Sequence, residues 1–377
     1  MEKNNKRITF LGVCLFLVAA FIPLGLLGSF LCSFIKPSIL WIPGIFGLAF
    51  PLLVVGALVF GLIYLFFLRR RCLIFFFAIL LNVGNISHFI HFAPKANLEE
   101  REQQNSLKIL SYNVCLLDYY QYINPVRGKT KNDILNFLSE QNSDIICLQE
   151  YYESKDLRFL VSPILKKNGY IYHTQAEANK KFYYGNIIFS KYPIIKEGSL
   201  EGLSKFDIVF ADLLIQNDTL RVYNMHLASN RFDKKDQTFY QKITTSPTHK
   251  DLKYRQGLKK IIGKLGNASI KREKQVEKIE NHLSLSPYPT FLCGDMNENP
   301  VSYSYHRFGS LLEDAFCEKG RGLGQTYKGI FPSYRIDYIF YKGPFCPLWF
   351  KTFYVNYADH RPIAAAFSWT KNKKKLH

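Results

Sequence analysis

Acidic side chains are missing from a long stretch near the start of this 377-residue chain. Between Ile8 and Phe92 there is no Asp or Glu, and the only Lys or Arg residues are Lys36 and the cluster Arg69, Arg70, Arg71. So little charge over such a length excludes an ordinary water-facing surface for this segment. Cysteine is also sparse in pattern: the eight thiols show no paired spacing of a zinc site and no disulfide framework. Cys14, Cys32 and Cys72 fall in the apolar stretch, and Cys147 and Cys293 sit in runs that look like buried strands, where a thiol is a small hydrophobe. Cys317 and Cys346 are a pair that an oxidising compartment could join. No G-x-S-x-G turn and no G-x-x-x-x-G-K loop occurs, which argues against a serine nucleophile and a P-loop. Internal repeats and low-complexity segments are absent as well.

The net charge of +19 is divided unevenly. Residues 1–96 hold eight Lys/Arg against one Asp/Glu, so the remainder carries about +12. A basic soluble part favours anionic partners, namely phosphate esters, nucleic acid or acidic lipid surfaces. The basic side chains are densest from Arg231 to Lys274 and in the tail Lys371, Lys373, Lys374, Lys375.

A helix needs roughly 20 apolar residues to cross a bilayer core. Three stretches meet that length, at about 8–35, 45–68 and 73–92, with Pro23, Pro43 and Pro51 blurring their ends. Positive charge prefers the cytoplasmic side. Lys3, Lys6, Arg7 and the arginine triplet therefore predict an inside amino terminus, and three crossings carry the rest of the chain outside. A cleaved signal peptide is the competing reading of the basic start, but the first apolar run is long for a signal core and two more follow it. The expected organisation is a transmembrane region at 1–95, a linker at 96–106, a catalytic domain at 107–370 and a basic tail at 371–377.

The soluble part reads as strands alternating with helices. Strands are expected at LKILSYNV (107–114), DIICLQE (144–150), GNIIFSKYPI (185–194), FDIVFADLLI (206–215), LRVYNMHL (220–227), TFLCGDMN (290–297), RIDYIFY (335–341) and ADHRPIAAAFSW (358–369). The pair at 206–215 and 220–227 forms a hairpin about Gln216, Asn217 and Asp218. Helices are predicted at 131–141 and around 271–283. Six of these strands deliver polar residues near their ends: Asn113, Glu150, His226, Asp295 with Asn297, Asp337, and Asp359 with His360. Each alone is a common turn residue, but strand ends are where α/β folds build sites.

Oxygen donors without a Cys or His cluster suit Mg²⁺ or Mn²⁺ better than structural zinc. Glu150 is the leading ligand, with Asn113 and Asp359 as further oxygen donors. Asp295 is suited to act as a base toward water, Asn297 to orient that water or a phosphate oxygen, and His360 to donate to phosphate with Asp337 fixing its ring. His226 supplies a second imidazole.

Taken in order, SYNV, LQE, NMHL, GDMN, RIDYI and DH resemble the motifs of the endonuclease/exonuclease/phosphatase superfamily, over about 107–369. That superfamily includes deoxyribonuclease I, abasic-site endonucleases, neutral sphingomyelinases and inositol polyphosphate 5-phosphatases. The resemblance implies a four-layered α/β sandwich with the site at one edge. It places Asn113 and Glu150 at a metal, His226 at the phosphate, Asp295 and Asn297 at the water, and Asp337 with His360 as a pair; Asp359 becomes a metal or His-orienting group. SYSY (302–305) and DAF (314–316) look like those of membrane-anchored bacterial members, while Arg272 and Gln275 match a recurrent packing pattern. One departure is Cys115, where abasic-site endonucleases usually carry Asp, and it weakens a DNA-repair reading.

The expected function is therefore a metal-dependent phosphoesterase in a membrane, in a bacterium the inner membrane, with its catalytic domain on the extracytoplasmic side. Its substrate is a phosphodiester of nucleic acid or of a phospholipid head group, its other partner is the lipid bilayer, and no protein partner is implied. The alternative is a tethered binding or scaffold protein that keeps the fold without turnover.

Overall fold

The computed structural model describes residues 2–67, 69–94, 106–121, 123–126, 128–154, 160–174, 177–178, 182–230, 232, 236, 238–239, 252–329 and 334–369. The basic tail and nearly all of the expected linker lie outside the described residues. The chain opens with helices Glu2–Cys32 and Pro43–Phe67, then Cys72–Leu81 and Val83–Phe89. The first two contain apolar spans, Gly12–Cys32 and Pro43–Phe67, of mean hydropathy 2.4 and 2.5, long and apolar enough to cross a membrane. They pack closely because small residues face large ones: a Cβ on Gly28 would lie 2.6 Å from the Phe46 ring. The third expected span is not one helix. It bends by 62° between its two halves. Asn82 stands at the break, its Nδ2 donating to the carbonyls of Ala78 at 3.0 Å and Leu26 at 3.1 Å. A polar side chain that ties the backbone of one helix to another marks a corner that hydropathy alone does not show.

The strands are β1 (His91–Phe92), β2 (Leu107–Asn113), β3 (Ile145–Ser154), β4 (Tyr172–His173), β5 (Glu177–Ala178), β6 (Phe182–Ser190) and β7 (Ile194–Gly198). They continue with β8 (Ile208–Ile215), β9 (Asp218–His226), β10 (Thr290–Asp295), β11 (Glu313–Asp314), β12 (Arg321–Gly322), β13 (Asp337–Lys342), β14 (Phe345–Thr352) and β15 (Ile363–Trp369). One large sheet runs β11-β13-β10-β9-β8-β7, a second runs β14-β15-β2-β3-β6-β4 with β5 on β6, and β1 pairs with β12 in a small sheet of their own.

The two sheets pack face to face through Ile109, Cys147 and Ile188 on one side and Val209, Val222, Phe291 and Ile339 on the other. Their outer faces are buried too. Leu110, Tyr112, Ile146 and Leu148 meet the helix Lys129–Gln141, and Phe210, Tyr223 and Phe340 meet the helices Leu252–Ser284 and Tyr303–Gly309. Burial on both faces explains why these strands are continuous apolar runs rather than alternating ones. The result is the four-layered α/β sandwich that the motifs implied.

Several local expectations change. The helix around 271–283 begins at Leu252, so much of the basic stretch 231–274 is helical; its lysines and three glycines hid an amphipathic face that buries Ile261, Ala268, Val276 and Ile279. β3 runs past Glu150 to Ser154 through a bulge. β14 had no motif to announce it. Cys317 and Cys346 are both free thiols.

Candidate active site at the seam between the sheets

Strand register assembles the site. β9 and β10 run parallel, so His226 lies beside Asp295, and antiparallel β13 sets Asp337 opposite Asp295 on its other side. In the facing sheet β2 and β3 are parallel, with Asn113 beside Gln149 and Glu150 one residue beyond. Stacking the sheets brings these ends together.

Asp295 is the hub. It is 1% exposed, and its Oδ2 accepts from Asn113 Nδ2 at 3.1 Å while lying 3.6 Å from both His226 Nε2 and His360 Nε2. Its Oδ1 accepts the Asn297 backbone N–H at 2.8 Å, and Asn297 Nδ2 reaches Leu227 O at 2.9 Å. Asn113 Nδ2 also donates to Glu150 Oε1 at 3.2 Å, and His226 Nε2 is 3.7 Å from the same oxygen. Glu150 is 35% exposed, so it opens the cluster to solvent. His360 Nδ1 meets Asp337 Oδ2 at 2.9 Å. Seven of the eight sequence-nominated residues thus form one connected group. Asp359 stands apart on the exposed rim, tied to the cluster through a hydrogen bond with Cys115, whose backbone N–H is held by Asn113 Oδ1 at 3.1 Å.

The backbone is bent to make this possible. Glu150 sits at φ 49° where β3 slips register against β6, a bulge that turns its carboxylate into the seam. Asn297 is at φ 55°, and Cys115, Leu116, Leu117 and Asp118 form a turn in which every φ is positive. Left-handed residues of this kind cost about 1–2 kcal/mol each and concentrate at functional sites. Gly294, at φ 130°, leaves no room for a side chain, because a Cβ there would strike the Met225 carbonyl of β9.

The electrostatics follow from burial. Burial raises the Asp295 pKa; His360 opposes the rise and Asp337 adds to it, so this carboxylate takes a proton more readily than a free one. For His360 burial works downward, but the fields of Asp337 and Asp295, the hydrogen bond to Asp337 and the field of Asp359 outweigh it and hold the pKa well above the ordinary histidine value. Tyr327, whose ring meets His360 edge-on at 5.2 Å, is pushed up to about 12 by burial and then by Asp359 and Asp295.

The donor set fits a divalent cation. Four carboxylates line or rim the seam, Asp337 Oδ1 is buried without a partner, and burial raises the Cys115 pKa, so its thiol stays protonated. Asp295, Asp337 and His360 present ligating atoms within 4.8 Å of one another. His360, with its raised pKa and its Nδ1 on Asp337, is a hydrogen-bond donor first, which leaves the open Glu150 as the better oxygen ligand, with the buried Asn113 beside it.

Further residues complete the site without a readable signal of their own. Gln149 Nε2 donates to Asn224 Oδ1 at 2.7 Å, and Asn224 Nδ2 donates to Leu148 O and Ile187 O at 2.8 Å, a buried amide bridge behind Glu150 that joins the sheets. Thr326 Oγ1 accepts the N–H groups of Ile336 and Asp337. Gln149 and Asn224 stand inside LQE and NMHL, but only facing sheets reveal that they touch. Arg272 and Gln275 grip the segment after His226: Arg272 Nη1 donates to Ala228 O at 2.7 Å, and Gln275 Oε1 accepts Ala228 N at 2.9 Å.

Residues 110–360 match the model of the Endonuclease/Exonuclease/phosphatase family, and residues 10–89 match one described only as a domain of unknown function. Among curated proteins none matches the sequence. Solved structures with a similar fold include an endonuclease/exonuclease/phosphatase from Beutenbergia cavernae DSM 12333, at 14% identity and TM-score 0.48 over 70% of this chain and 72% of that one. Another is the human Nocturnin catalytic domain with bound sulfate, at 16% identity and TM-score 0.48 over 71% and 95% of the two chains. An AP endonuclease from Archaeoglobus fulgidus gives 15% identity and TM-score 0.47 over 69% and 99%.

Proposed function

For a chain that belongs to the endonuclease/exonuclease/phosphatase family, we propose a membrane-anchored, divalent-metal-dependent phosphodiesterase that transfers a phosphoryl group to water. The observation that carries this is the single hydrogen-bonded cluster centred on Asp295, in which a buried carboxylate, two imidazoles, two amides and an open carboxylate meet. A catalytic role follows from the chemistry of those groups.

Asp295, with its raised proton affinity, takes the proton of a water molecule as that water attacks phosphorus. The backbone and side chain of Asn297 fix the orientation of the carboxylate. His360 keeps a proton because Asp337 holds its Nδ1, and it donates from Nε2 to a phosphate oxygen. His226, between Glu150 and Asp295, donates to a second phosphate oxygen. The P–O bond to the leaving alcohol breaks, and that oxygen takes its proton from solvent. Glu150 and Asn113 would hold Mg²⁺ or Mn²⁺ with Asp359 contributing from the rim, and such an ion when bound supplies positive charge for the phosphate and the leaving oxygen. Without a cation, this many carboxylates would repel an anionic ester.

Anchoring rests on the two apolar helices and the bent pair that follows them. Their outer surfaces expose large apolar side chains, Phe66 at 78% and Phe67 at 81% among them, which suits lipid rather than water. Contacts with the sandwich come from the turn at 33–42, the first turns of the Pro43–Phe67 helix and the segment 82–93, at the end of the bundle away from Arg69–Arg71. That arrangement agrees with an inside arginine cluster and a catalytic domain on the outer face.

The test is turnover of bis(p-nitrophenyl) phosphate by the full chain in detergent, with and without Mg²⁺. Metal-dependent hydrolysis that is weakened in Glu150→Ala and restored by excess metal is expected. A folded chain with no turnover under any divalent cation would leave only the scaffold reading.

A further inference from the structure

We propose that the diester cleaved is the head-group phosphodiester of a phospholipid in the same bilayer that holds the N-terminal helices. The inference rests on the phosphodiesterase reading and adds the substrate class. It starts from how short the path is between the proposed base and the ends of the apolar helices.

Asn297, which is hydrogen-bonded to Asp295, lines a crevice of about 40 Å³ whose opposite wall is Cys32, Trp41, Gly44 and Gly47. Two residues on, Asn299 Nδ2 donates to Gly47 O at 2.9 Å, and Val301 O accepts from Ser33 Oγ at 3.2 Å. The segment that carries the site is therefore bolted to the positions where the Glu2–Cys32 helix ends and the Pro43–Phe67 helix begins. In an anchored chain those positions lie where hydrocarbon gives way to head groups, a layer roughly 5–8 Å thick on each side of the core. Lipid phosphates occupy that layer.

The surroundings have the character of a lipid-facing edge. The turn between the helices exposes Ile39 at 77%, with Leu40 and Ile42 also exposed. Against it lies the Leu252–Ser284 helix, approaching so closely that a Cβ on Gly266 would sit 2.7 Å from Trp41. Ser38 Oγ donates to Glu273 Oε1 at 2.7 Å, and Lys36 pairs with Glu277 at 2.6 Å. From this contact the first part of the helix, 252–271, carries Lys253, Arg255, Lys259, Lys260, Lys264 and Lys271 and no acidic residue. Lys260 and Lys264 pair with Asp236, and Arg255, Lys259 and Lys271 are exposed. A cationic helix rooted at the bilayer boundary attracts anionic head groups to that boundary, beside the segment that carries Asn297. Chemically the step is the hydrolysis above: a water O–P bond forms, the P–O bond to one alcohol of the lipid breaks, and a phosphomonoester and an alcohol result.

The experiment reconstitutes the full chain into phosphatidylglycerol vesicles with Mg²⁺ and follows loss of the lipid diester by phosphorus NMR. A single-stranded oligonucleotide and bis(p-nitrophenyl) phosphate are offered to the same vesicles. Lipid hydrolysis should exceed oligonucleotide hydrolysis at equal diester concentration. The triple variant Arg255→Glu, Lys259→Glu, Lys271→Glu should lower lipid turnover at least roughly fivefold, the worth of one cationic side chain at an anionic surface, and leave hydrolysis of the small soluble diester unchanged. Faster cleavage of the oligonucleotide, or hydrolysis of the soluble diester with intact lipid, would overturn the lipid assignment alone. No hydrolysis of any diester would remove the phosphodiesterase reading and this inference with it.

Discussion

The N-terminal helices and the sandwich solve the same packing problem in opposite directions. The sandwich buries Ile109, Cys147, Phe291 and Ile339 between its sheets and gathers its polar site where two sheet ends meet. The helical bundle turns Leu24, Leu52, Phe66 and Phe67 outward and keeps Ser29, Asn82 and Asn85 inside, bonded to carbonyls and to one another. Each arrangement places the minority chemistry where it can be satisfied. In the sandwich that concentrates reactive groups at a seam; in the bundle it supplies corners and a polar face on which the sandwich rests. The lesson is that buried polar residues have different meanings in the two halves, because one half has a largely polar exterior and the other an apolar one.

The comparison can be broken most sharply at its hub. Asp295→Asn should reduce phosphodiester turnover by roughly 10²- to 10⁴-fold in a chain whose circular dichroism shows it still folded; turnover close to that of the parent enzyme would remove Asp295 as the base. Next in size is Arg335, which is 1% exposed, pairs with Asp314 at 2.6 Å and donates to His88 O at 2.9 Å. It ties the two halves together, so Arg335→Met, which strands a buried carboxylate, should cost about 3–5 kcal/mol in chemical denaturation. Stability within 1 kcal/mol of the parent, roughly the worth of an exposed pair, would show that the tie is dispensable.

Gly294→Ala tests the sandwich alone. The methyl group would force β9 and β10 apart at φ 130°, and a loss of about 3 kcal/mol is expected, with activity falling in step as His226 and Asp295 separate. An unchanged midpoint would mean that the strands relax without effort.

The last effect appears only on acidification, at the contact between the halves. His306 Nε2 meets Asn85 Oδ1 at 2.9 Å, and burial, then the nearby His88, lower its pKa from 6.5 to about 4. With the folded value below the unfolded one, the contribution is complete above pH 6.5 and is lost as pH falls from 6.5 toward about 4. His306→Gln should flatten that part of the stability profile, and a profile identical to the parent's would rule the contact out as its source.

Much of the sandwich could be read in advance because its strands carry a strong local signal. Runs such as IICLQ and FLCG are apolar on both faces and end in turn residues, which identifies buried strands and their polar tips together. Asp359 shows the limit: it stands next to His360 in sequence, yet it is exposed while His360 is buried. The turn at Cys115–Asp118 and the bulge at Glu150 were not readable either, since nothing in LLD or LQE requires a positive φ. The early start of the Leu252–Ser284 helix was concealed by glycines, one of which is there because Trp41 lies against it. That reason exists only once two distant segments have met.

By itself the sequence determined the division into an apolar bundle and a soluble α/β part, the order of the strands and the identity of the polar residues at their ends, because periodicity, hydropathy and turn chemistry act over a few residues at a time. Only the tertiary structure decided which of those ends converge, which way Glu150 points, and that Asn297 stands beside the end of the Glu2–Cys32 helix and the start of the Pro43–Phe67 helix. Such facts depend on sheet register and on the docking of two bodies, and no local preference encodes either.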